Sequence, residues 1–296
     1  MTDDAKKKTT NQLFHSHPRS FEASRFIYPV LSRRSKGISI GVNISQDKTC
    51  NLNCVYCQVN RSNCLDKQLV EIDVLKSELS KTLRSVISGE LFEKPKFSGV
   101  PKSLQRLNDL ALSGDGEPTI SKNFERVLQV CADVRQANKL SDVKLVLITN
   151  ASLLHLDRVQ RGLKILYENN GEIWAKLDTG TENYYRAVAR SAIPFEQILK
   201  NITMAAQTHP LVIQTLFMNL RNQPPSPAEI QAYCDRINEI SSAGGKIKLI
   251  QIHTVARTPA EDWVSAIPDA KLDRFTNAIS QATGIEVETF YGQFAS

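Results

Sequence analysis

Three cysteines within eight positions, Cys50, Cys54 and Cys57, are the residues of this 296-residue chain whose type and spacing most clearly indicate chemistry. Three residues separate the first pair and two separate the second, so one short loop carries three thiolates. A cubane iron–sulfur cluster takes four ligands, and three thiolates leave one of its irons open to another molecule. C-x2-C pairs also bind zinc, so the spacing alone is compatible with either metal.

The three remaining cysteines, Cys64, Cys131 and Cys234, are scattered along the chain. Six cysteines so unevenly placed do not make a disulfide scaffold, and they indicate metal ligation in a reducing compartment. Cys131 and Cys234 occupy apolar positions of predicted helices, which is typical of inert buried thiols. We interpret Cys64, seven residues beyond the loop, as an uninvolved thiol, with a hydrogen-atom donor or an additional ligand as the alternatives.

The elements that position the loop follow an alternating pattern of strands and helices. The run 37–44 alternates small and β-branched residues and is predicted to be a strand that leads into the cysteine loop. Strands are predicted near residues 39, 108, 143, 173, 211 and 247, a last short strand at 285–290, and helices over 66–92, 124–131, 153–167, 181–207 with a break at Pro194, 227–242 and 272–282. Six strands each followed by a helix predict a parallel sheet with outer helices, because parallel strands need crossover connections. We therefore expect an open, partial (β/α)6 barrel, with a doubly wound open sheet as the alternative.

Polar residues gather at the predicted carboxyl ends of these strands. The cysteines follow the first strand, and the others follow later strands or lie within them: 114–119, Thr149, Asn150, Lys176, Asp178, Gln214, Thr215 and His253. In a parallel α/β barrel the loops at this edge converge and hold the reactive groups. The shared placement predicts one active site at this edge of the sheet.

Cys50, Cys54 and Cys57 match the CxxxCxxC motif of the radical S-adenosylmethionine (SAM) superfamily, and Tyr56 fits the aromatic position before the third cysteine. The resemblance covers most of the chain, about 28–291. It implies a [4Fe-4S] cluster on the three cysteines, with the open iron chelated by the amino and carboxylate groups of SAM, and a SAM contact for Tyr56.

The sequence GDGEP at 114–118 resembles the second motif of that superfamily, GGEP, with Asp115 in place of the second glycine. A zinc or electron-transfer module has no use for such a turn. The resemblance implies that Glu117 and the backbone around Gly114 and Gly116 hold the methionine amino group of SAM, since glycine permits close backbone approach. Asp115 adds an acid to this predicted binding loop.

Within the superfamily, the chain resembles the group related to wyosine-tRNA synthesis enzymes. The segments that carry this resemblance are 29–34, 54–58, 176–178 and 254–259. Two departures concern the reaction: members that make the tricyclic base commonly have upstream cysteines for a second cluster and Trp-Arg after the third cysteine, whereas this chain has no cysteine before Cys50 and has Gln58. The resemblance therefore implies the class of chemistry and leaves the substrate open.

The chemistry implied is reductive cleavage of SAM, with an electron from a low-potential donor of the flavodoxin or ferredoxin type, to a 5′-deoxyadenosyl radical that abstracts hydrogen from a substrate. Asn150 is predicted to contact the SAM ribose. Gln214 and His253 are predicted to line the adenosine or substrate pocket, with a hydrogen-bonded structural role as the alternative. Lys176 and Asp178 share one strand face, where they form either an ion pair or a substrate ligand and proton donor.

Three functional hypotheses follow: a radical SAM enzyme acting on a tRNA base, the same chemistry on a small molecule, peptide or partner protein, and a non-catalytic iron–sulfur or zinc-binding module. The net charge of +6 tolerates an anionic partner. Arg33, Arg34 and Arg257 are candidates for a phosphate or carboxylate contact, with solvated charges or a salt bridge as the alternative.

The N-terminal residues 1–25 are polar and show no apolar period, so we expect an N-terminal polar arm, followed by a core domain at 26–296 with a C-terminal extension. His15 and His17 in the arm are expected to be solvated rather than metal ligands. The sequence has no apolar run of the roughly 20 residues that a membrane helix needs, and residues 1–10 lack the apolar stretch of a signal peptide. We therefore expect a cytoplasmic protein.

Overall fold

The computed structural model describes Leu13, Arg19, 21–61 and 69–292, and these residues divide into two compact units. The first unit takes its residues from Met1–Thr49, Cys64–Leu147 and Asp157–Glu172. The second takes them from Cys50–Asn63, Ile148–Leu156 and Ile173–Ser296. The cysteine loop therefore belongs to the second unit and the GDGEP segment to the first. The predicted arm and core boundaries at residues 25 and 26 stay a prediction, and His15, His17 and Cys64 lie outside the described residues.

The first unit contains a short antiparallel edge followed by parallel strands. Its strands are β1 (Ile27–Ser32), β2 (Gly37–Val42), β3 (Leu107–Leu112) and most of β4 (Lys144–Thr149). β1 runs antiparallel to β2, with Ile27 opposite Val42, whereas β2 pairs with β3 and β3 with β4 in parallel. Every residue of β2 is buried, which explains why its sequence is small and β-branched throughout.

Helices α1 (Ile72–Ile87), α2 (Phe124–Ala137) and α3 (Asp157–Glu168) complete the first unit. α1 buries Leu75, Leu79 and Leu83, which recur every four residues along one face. The predicted span of 66–92 was too long at both ends. Within the described residues, Leu69 is 81% exposed and lies before the helix, and after Ile87 the chain passes through Gly89 at φ +86° into a short 3-10 turn. Left-handed backbone at a glycine is a common way to end a helix.

The second unit contains most of β5 (Gly171–Lys176) and the strands β6 (Leu211–Leu216), β8 (Ile247–His253) and β10 (Val287–Phe290), which are parallel to one another. It also contains the two-residue strands β7 (Asn219–Leu220) and β9 (Val264–Ser265), which pair with each other. Its helices are α4 (Glu182–Ala189), α5 (Phe195–Thr208), α6 (Pro227–Ser242) and α7 (Asp269–Thr283). The predicted break at Pro194 is observed, because α4 ends at Arg190 in the left-handed region and Pro194 precedes α5. Lys176, Gln214 and Gln251 occupy matched register positions on neighbouring strands.

The fold class is α/β, with the mostly parallel sheet of a partial barrel, as predicted. All six strands expected to alternate with helices are observed, as β2 to β6 and β8, and the last short strand is β10. The edge strand β1 and the short pair β7 and β9 were not predicted. None of the helices in the described part of the chain is long and apolar enough to cross a bilayer.

Candidate metal and cofactor site

The cysteine loop is anchored through its backbone to the end of α4. The amides of Asn53 and Val55 donate to the carbonyls of Ala189 and Val188, each at 2.9 Å. The side chains of Val55 and Tyr56 are buried in an apolar cluster that also contains Val188, Met218 and Val264. The apolar side chains of the loop therefore fix its backbone, and Cys50, Cys54 and Cys57 remain partly exposed.

The thiols of this loop differ in their electrostatic surroundings. Burial raises the pKa of Cys54 to about 12, with Lys176 opposing this and with Asp178 and the two other loop cysteines adding to it. Burial also acts to raise the pKa of Cys57, but hydrogen bonds from the Arg61 side chain and the Val59 backbone, together with the charges of Arg61 and Lys176, bring that pKa below its usual value. The three thiols thus lie close enough to influence one another.

The donor chemistry suits an iron–sulfur cluster, which is held by thiolates. Among the described residues, no group of three or more His, Cys, Asp and Glu side chains is arranged around one point that could hold a single ion. A cubane cluster is held at three separate corners, so its thiolates need not converge on one metal position. The residues present therefore fit the cluster that the sequence implies.

A pocket beside Cys54 provides about 360 Å³ of empty space, including space open to solvent. Polar side chains of Asn150, Lys176, Asp178 and Thr179 line part of it. The apolar wall includes Leu52, Val188, Ile198 and the stacked rings of Tyr185 and Phe195, whose centroids are 5.0 Å apart. A small cavity with few polar groups on an apolar lining is typical of ligand sites.

Tyr56, Asp178 and Lys176 meet at one side of this pocket. The Tyr56 hydroxyl donates to the Asp178 carboxylate, whose other oxygen accepts from the Leu216 amide at 2.8 Å. Lys176 Nζ lies 5.2 Å from the centre of the Tyr56 ring, which is a cation–π distance. Burial raises the pKa of Asp178 against the opposing effects of Lys176 and Tyr56. The two residues predicted to act together, Lys176 and Asp178, thus both border the pocket and both contact Tyr56.

Asn150 lies beside the first cysteine. Its amide nitrogen donates to Asn51 Oδ1 at 2.9 Å and contacts Cys50 Sγ at 3.8 Å. Its oxygen accepts from the amide and hydroxyl of Ser152 at 3.0 and 2.6 Å. The structure therefore brings Asn150 together with the cysteine loop, whereas its contact with a SAM ribose stays a prediction.

Gln214 and His253 are not among the described residues that line the pocket. Gln214 is fully buried, and its amide nitrogen donates to Gln251 Oε1 at 3.0 Å. His253 ends β8, where its carbonyl accepts from the Phe217 amide at 2.9 Å. Sequence reasoning missed Gln251, although its place opposite Gln214 follows from aligning two parallel strands. The predicted cofactor contacts of Gln214 and His253 stay predictions.

The GDGEP segment forms a tightly packed turn in the first unit. The Glu117 amide donates to the carbonyl of Thr49 at 3.0 Å, and its carboxylate accepts from the amide and hydroxyl of Thr119 at 3.2 and 2.7 Å. A Cβ at Gly116 would lie 2.0 Å from the Thr49 oxygen, so only glycine fits. Gly114 approaches Asn43 in the same way, with a Cβ at 2.1 Å. The turn therefore packs against Thr49, the residue that precedes Cys50 in the chain.

Asp115, the acid that departs from the GGEP motif, points to two partners in the first unit. Its carboxylate accepts from Asn43 Nδ2 at 2.7 Å and from Arg19 Nη1 at 2.6 Å. No sequence spacing indicated these contacts, because the pairs are 72 and 96 residues apart. The binding of an amino group by Gly114, Gly116 and Glu117 stays a prediction, with Asp115 at its edge.

Two arginines contact the loop after the third cysteine. Arg61 Nη1 donates to Cys57 Sγ at 2.8 Å, and Arg257 Nη1 donates to Gln58 Oε1 at 3.0 Å. Arg257 was predicted as an anion contact, whereas Arg61 was missed. Its position four residues after a cysteine was the available signal. Cys131 and Cys234 are buried in α2 and α6.

Comparison with known proteins places this architecture. TYW1 with a lysine–pyruvate adduct bound superposes with a TM-score of 0.58 at 12% identity, over 95% of this chain and 90% of that one. Streptococcus suis SuiB bound to S-adenosylmethionine superposes with a TM-score of 0.56 at 14% identity, over 82% of this chain and 48% of that one. Archaeal TYW1 superposes with a TM-score of 0.51 at 11% identity, over 96% of this chain and 90% of that one. The fold of this chain is therefore similar to that of TYW1 and SuiB.

Curated relatives match this chain at 20–28% identity and over only part of their own length. A UPF0026 protein of Helicobacter pylori is 27% identical over 139 residues, 46% of this chain and 38% of that protein, and one of Methanocaldococcus jannaschii is 28% identical over 169 residues, 55% and 43%. A protein named GTPase Obg from Brachyspira hyodysenteriae is 20% identical over 294 residues, 97% and 38%. The chain thus spans about two fifths of the length of these relatives. No family model matches the sequence. The chain's sequence contains no GxxxxGK[ST] phosphate loop, so the GTPase name is not carried over to it.

Proposed function

We propose that this protein is a radical SAM enzyme that binds a [4Fe-4S] cluster through Cys50, Cys54 and Cys57. The observation that carries the proposal is the placement of three thiols on one anchored loop, with Cys54 in the wall of a pocket that also contains Asn150 and Lys176. A zinc site uses its ligands to close around one ion, whereas this loop leaves a cavity beside its central thiol. The similarity in fold to SuiB bound to S-adenosylmethionine supports the same assignment.

When bound, the reduced cluster would supply an electron to the sulfonium of SAM, and SAM would supply a carbon-centred radical able to abstract hydrogen. The chain's own residues bind and orient. Glu117, oriented by Thr119, is proposed to hold the methionine amino group, together with the backbone of Gly114 and Gly116. The apolar wall of the pocket excludes water from the reacting groups, and Lys176 and Asp178 are proposed to contact substrate from the polar side. A flavodoxin or ferredoxin-type donor in the reducing cytoplasm would supply the electron.

Anaerobic reconstitution with iron and sulfide, followed by reduction and addition of SAM, tests this proposal. We expect four irons per chain and formation of 5′-deoxyadenosine. Cys54→Ala should lose cluster and cleavage together, whereas the matched control Cys131→Ala, which removes a buried thiol from α2, should retain both. If the reconstituted wild-type chain never cleaves SAM with candidate substrates present, the proposed enzymatic function is wrong.

We further propose a tRNA base as the substrate, on the grounds of the two TYW1 neighbours and the net charge of +6. Phosphate contacts make binding salt-dependent, with a loss of about 10³-fold or more between roughly 50 and 200 mM salt for several contacts. Anisotropy of labelled tRNA over this salt range measures the effect. Weak binding that ignores salt would favour a small molecule, peptide or partner protein instead.

A second candidate concerns a carbonyl substrate. The TYW1 neighbour carries a lysine–pyruvate adduct, and Lys176 is the lysine among the described residues that line the pocket of this chain. The Lys176 amine would attack the carbonyl carbon to form an imine with loss of water. Borohydride reduction in the presence of pyruvate should then give an irreversible adduct on the peptide that contains Lys176, detected by mass spectrometry. Equal labelling of wild type and Lys176→Met would refute this candidate.

A further inference from the structure

Arg61 makes a direct contact with one of the proposed cluster ligands. Its Nη1 donates to Cys57 Sγ at 2.8 Å, and the two residues are four apart, so the side chain folds back along its own loop. The guanidinium is charged at all relevant pH values. The contact is therefore a charge-assisted hydrogen bond to sulfur.

Another sulfur of the same loop provides a comparison for this contact. Cys50 Sγ is contacted by the neutral amide nitrogen of Asn150 at 3.8 Å, whereas Cys57 Sγ accepts from the charged guanidinium of Arg61 at 2.8 Å. Arg61 thus places both an N–H donor and a positive charge at the Cys57 sulfur.

Negative charge on ligand sulfurs increases when an iron–sulfur cluster is reduced. Hydrogen bonds to these sulfurs and nearby positive charge therefore favour the reduced form and raise the reduction potential. We propose that Arg61 raises the reduction potential of the cluster at Cys50, Cys54 and Cys57 through its hydrogen bond to Cys57. This inference rests on the proposed cluster, and it assigns to Arg61 a tuning role that the cysteine motif does not contain.

Arg257 offers a matched control on the same loop. It donates to Gln58, the residue after Cys57, at 3.0 Å. Replacing Arg257 removes one positive charge and a hydrogen bond to Gln58 close to the loop, and it leaves the Arg61 side chain, the donor to Cys57 sulfur, in place. A comparison of Arg61→Met with Arg257→Met therefore separates the N–H···S bond from the general effect of charge.

The experiment is a redox titration of the reconstituted full-length chain without SAM or substrate, with the reduced cluster followed by electron paramagnetic resonance. We expect Arg61→Met to shift the midpoint potential to more negative values than wild type, by more than Arg257→Met does. Arg61→Lys, which keeps the positive charge and N–H donors on one nitrogen, should lie between Arg61→Met and wild type. Iron and sulfide analysis verifies that each variant holds the same cluster.

Equal midpoint potentials of Arg61→Met and wild type, or equal shifts of Arg61→Met and Arg257→Met, would overturn the inference. If Arg61→Met does not hold a cluster, Arg61→Lys and Arg61→Gln carry the comparison, and potentials equal to wild type in both would overturn it. A wild-type chain that binds no four-iron cluster would overturn the proposed function itself. The two failures are distinguishable, since iron content reports one and potential reports the other.

Discussion

Replacing Gly116 with alanine should destabilise the first unit and disturb the start of the cysteine loop. The added Cβ would lie 2.0 Å from the Thr49 carbonyl oxygen and 2.8 Å from the Ser45 Cβ, well inside the 3.4 Å where ordinary contact begins. Overpacking of this kind costs about 1–3 kcal/mol. Moving Thr49 away also breaks the 3.0 Å hydrogen bond from the Glu117 amide, which costs about 0.5–1.5 kcal/mol.

An opposing effect reduces this cost. Alanine narrows the unfolded ensemble and thereby returns about 0.4–1 kcal/mol where its backbone conformation is allowed, and Gly116 is not among the glycines with positive φ. The net loss is about 2 kcal/mol in the free energy of unfolding. With an unfolding entropy of about 0.6 kcal/mol per kelvin for a chain of this length, the melting temperature should fall by about 3 °C.

Differential scanning calorimetry measures the shift, and iron analysis after anaerobic reconstitution measures the effect on the loop. Because Thr49 precedes Cys50, Gly116→Ala should bind less iron than wild type. Gly89→Ala is the matched control, since its Cβ would meet no atom within 4 Å and only its left-handed backbone, at φ +86°, is strained. That variant should melt lower and still bind full iron. A Gly116→Ala variant with wild-type melting temperature and iron content would refute the steric reasoning.

Two further predictions concern buried polar contacts. Burial raises the pKa of the Asp109 carboxyl, and a hydrogen bond from Ser39 opposes this shift. The contribution of Asp109 to stability is therefore fully present below the unfolded pKa of about 3.9. That contribution is lost as pH rises through the folded pKa. Asp109→Asn should therefore be more stable than wild type at neutral pH and lose this advantage in acid, as followed by thermal melts across pH; an advantage that grows in acid would contradict the sign. Tyr56→Phe should cost about 1–3 kcal/mol, because the buried Asp178 carboxylate loses a donor. Tyr184→Phe, whose hydroxyl has no hydrogen-bond partner among the described residues, should be neutral, and equal losses in both variants would exclude the Tyr56–Asp178 hydrogen bond as the cause.

The strands of the sheet could be predicted because buried strands consist of short local runs of β-branched and apolar residues. β1 escaped this reasoning, since Pro29 within a run argues against a central strand. Pro29 is tolerated because β1 is an edge strand, which within the described residues pairs with β2 alone. The start of α1 was also misjudged, because Leu69 continues the helical period in sequence but is exposed in the structure. Period alone does not say where packing stops.

The candidate site likewise contains features that short sequence motifs predict and contacts between residues far apart in the sequence. The cysteine spacing and the GDGEP turn are local, and they indicated where chemistry is expected. The hydrogen bond between Tyr56 and Asp178 joins residues 122 positions apart, and that between Arg19 and Asp115 spans 96. Such contacts depend on which loops the fold brings together, and no single-sequence pattern records them.

Main-chain hydrogen bonds to the end of α4 hold the cysteine loop in place, and these bonds do not involve the thiols. The last carbonyls of a helix have no partner within the helix. At the end of α4 the carbonyls of Val188 and Ala189 are taken up by the amides of the loop, and Arg190, in the left-handed region, donates back from Nε to the Asn53 carbonyl at 2.8 Å. Loop and helix end thus satisfy each other's backbone groups. The position of the loop is therefore set by these main-chain bonds together with its buried apolar side chains, and the cysteine sulfurs remain partly exposed as potential ligands.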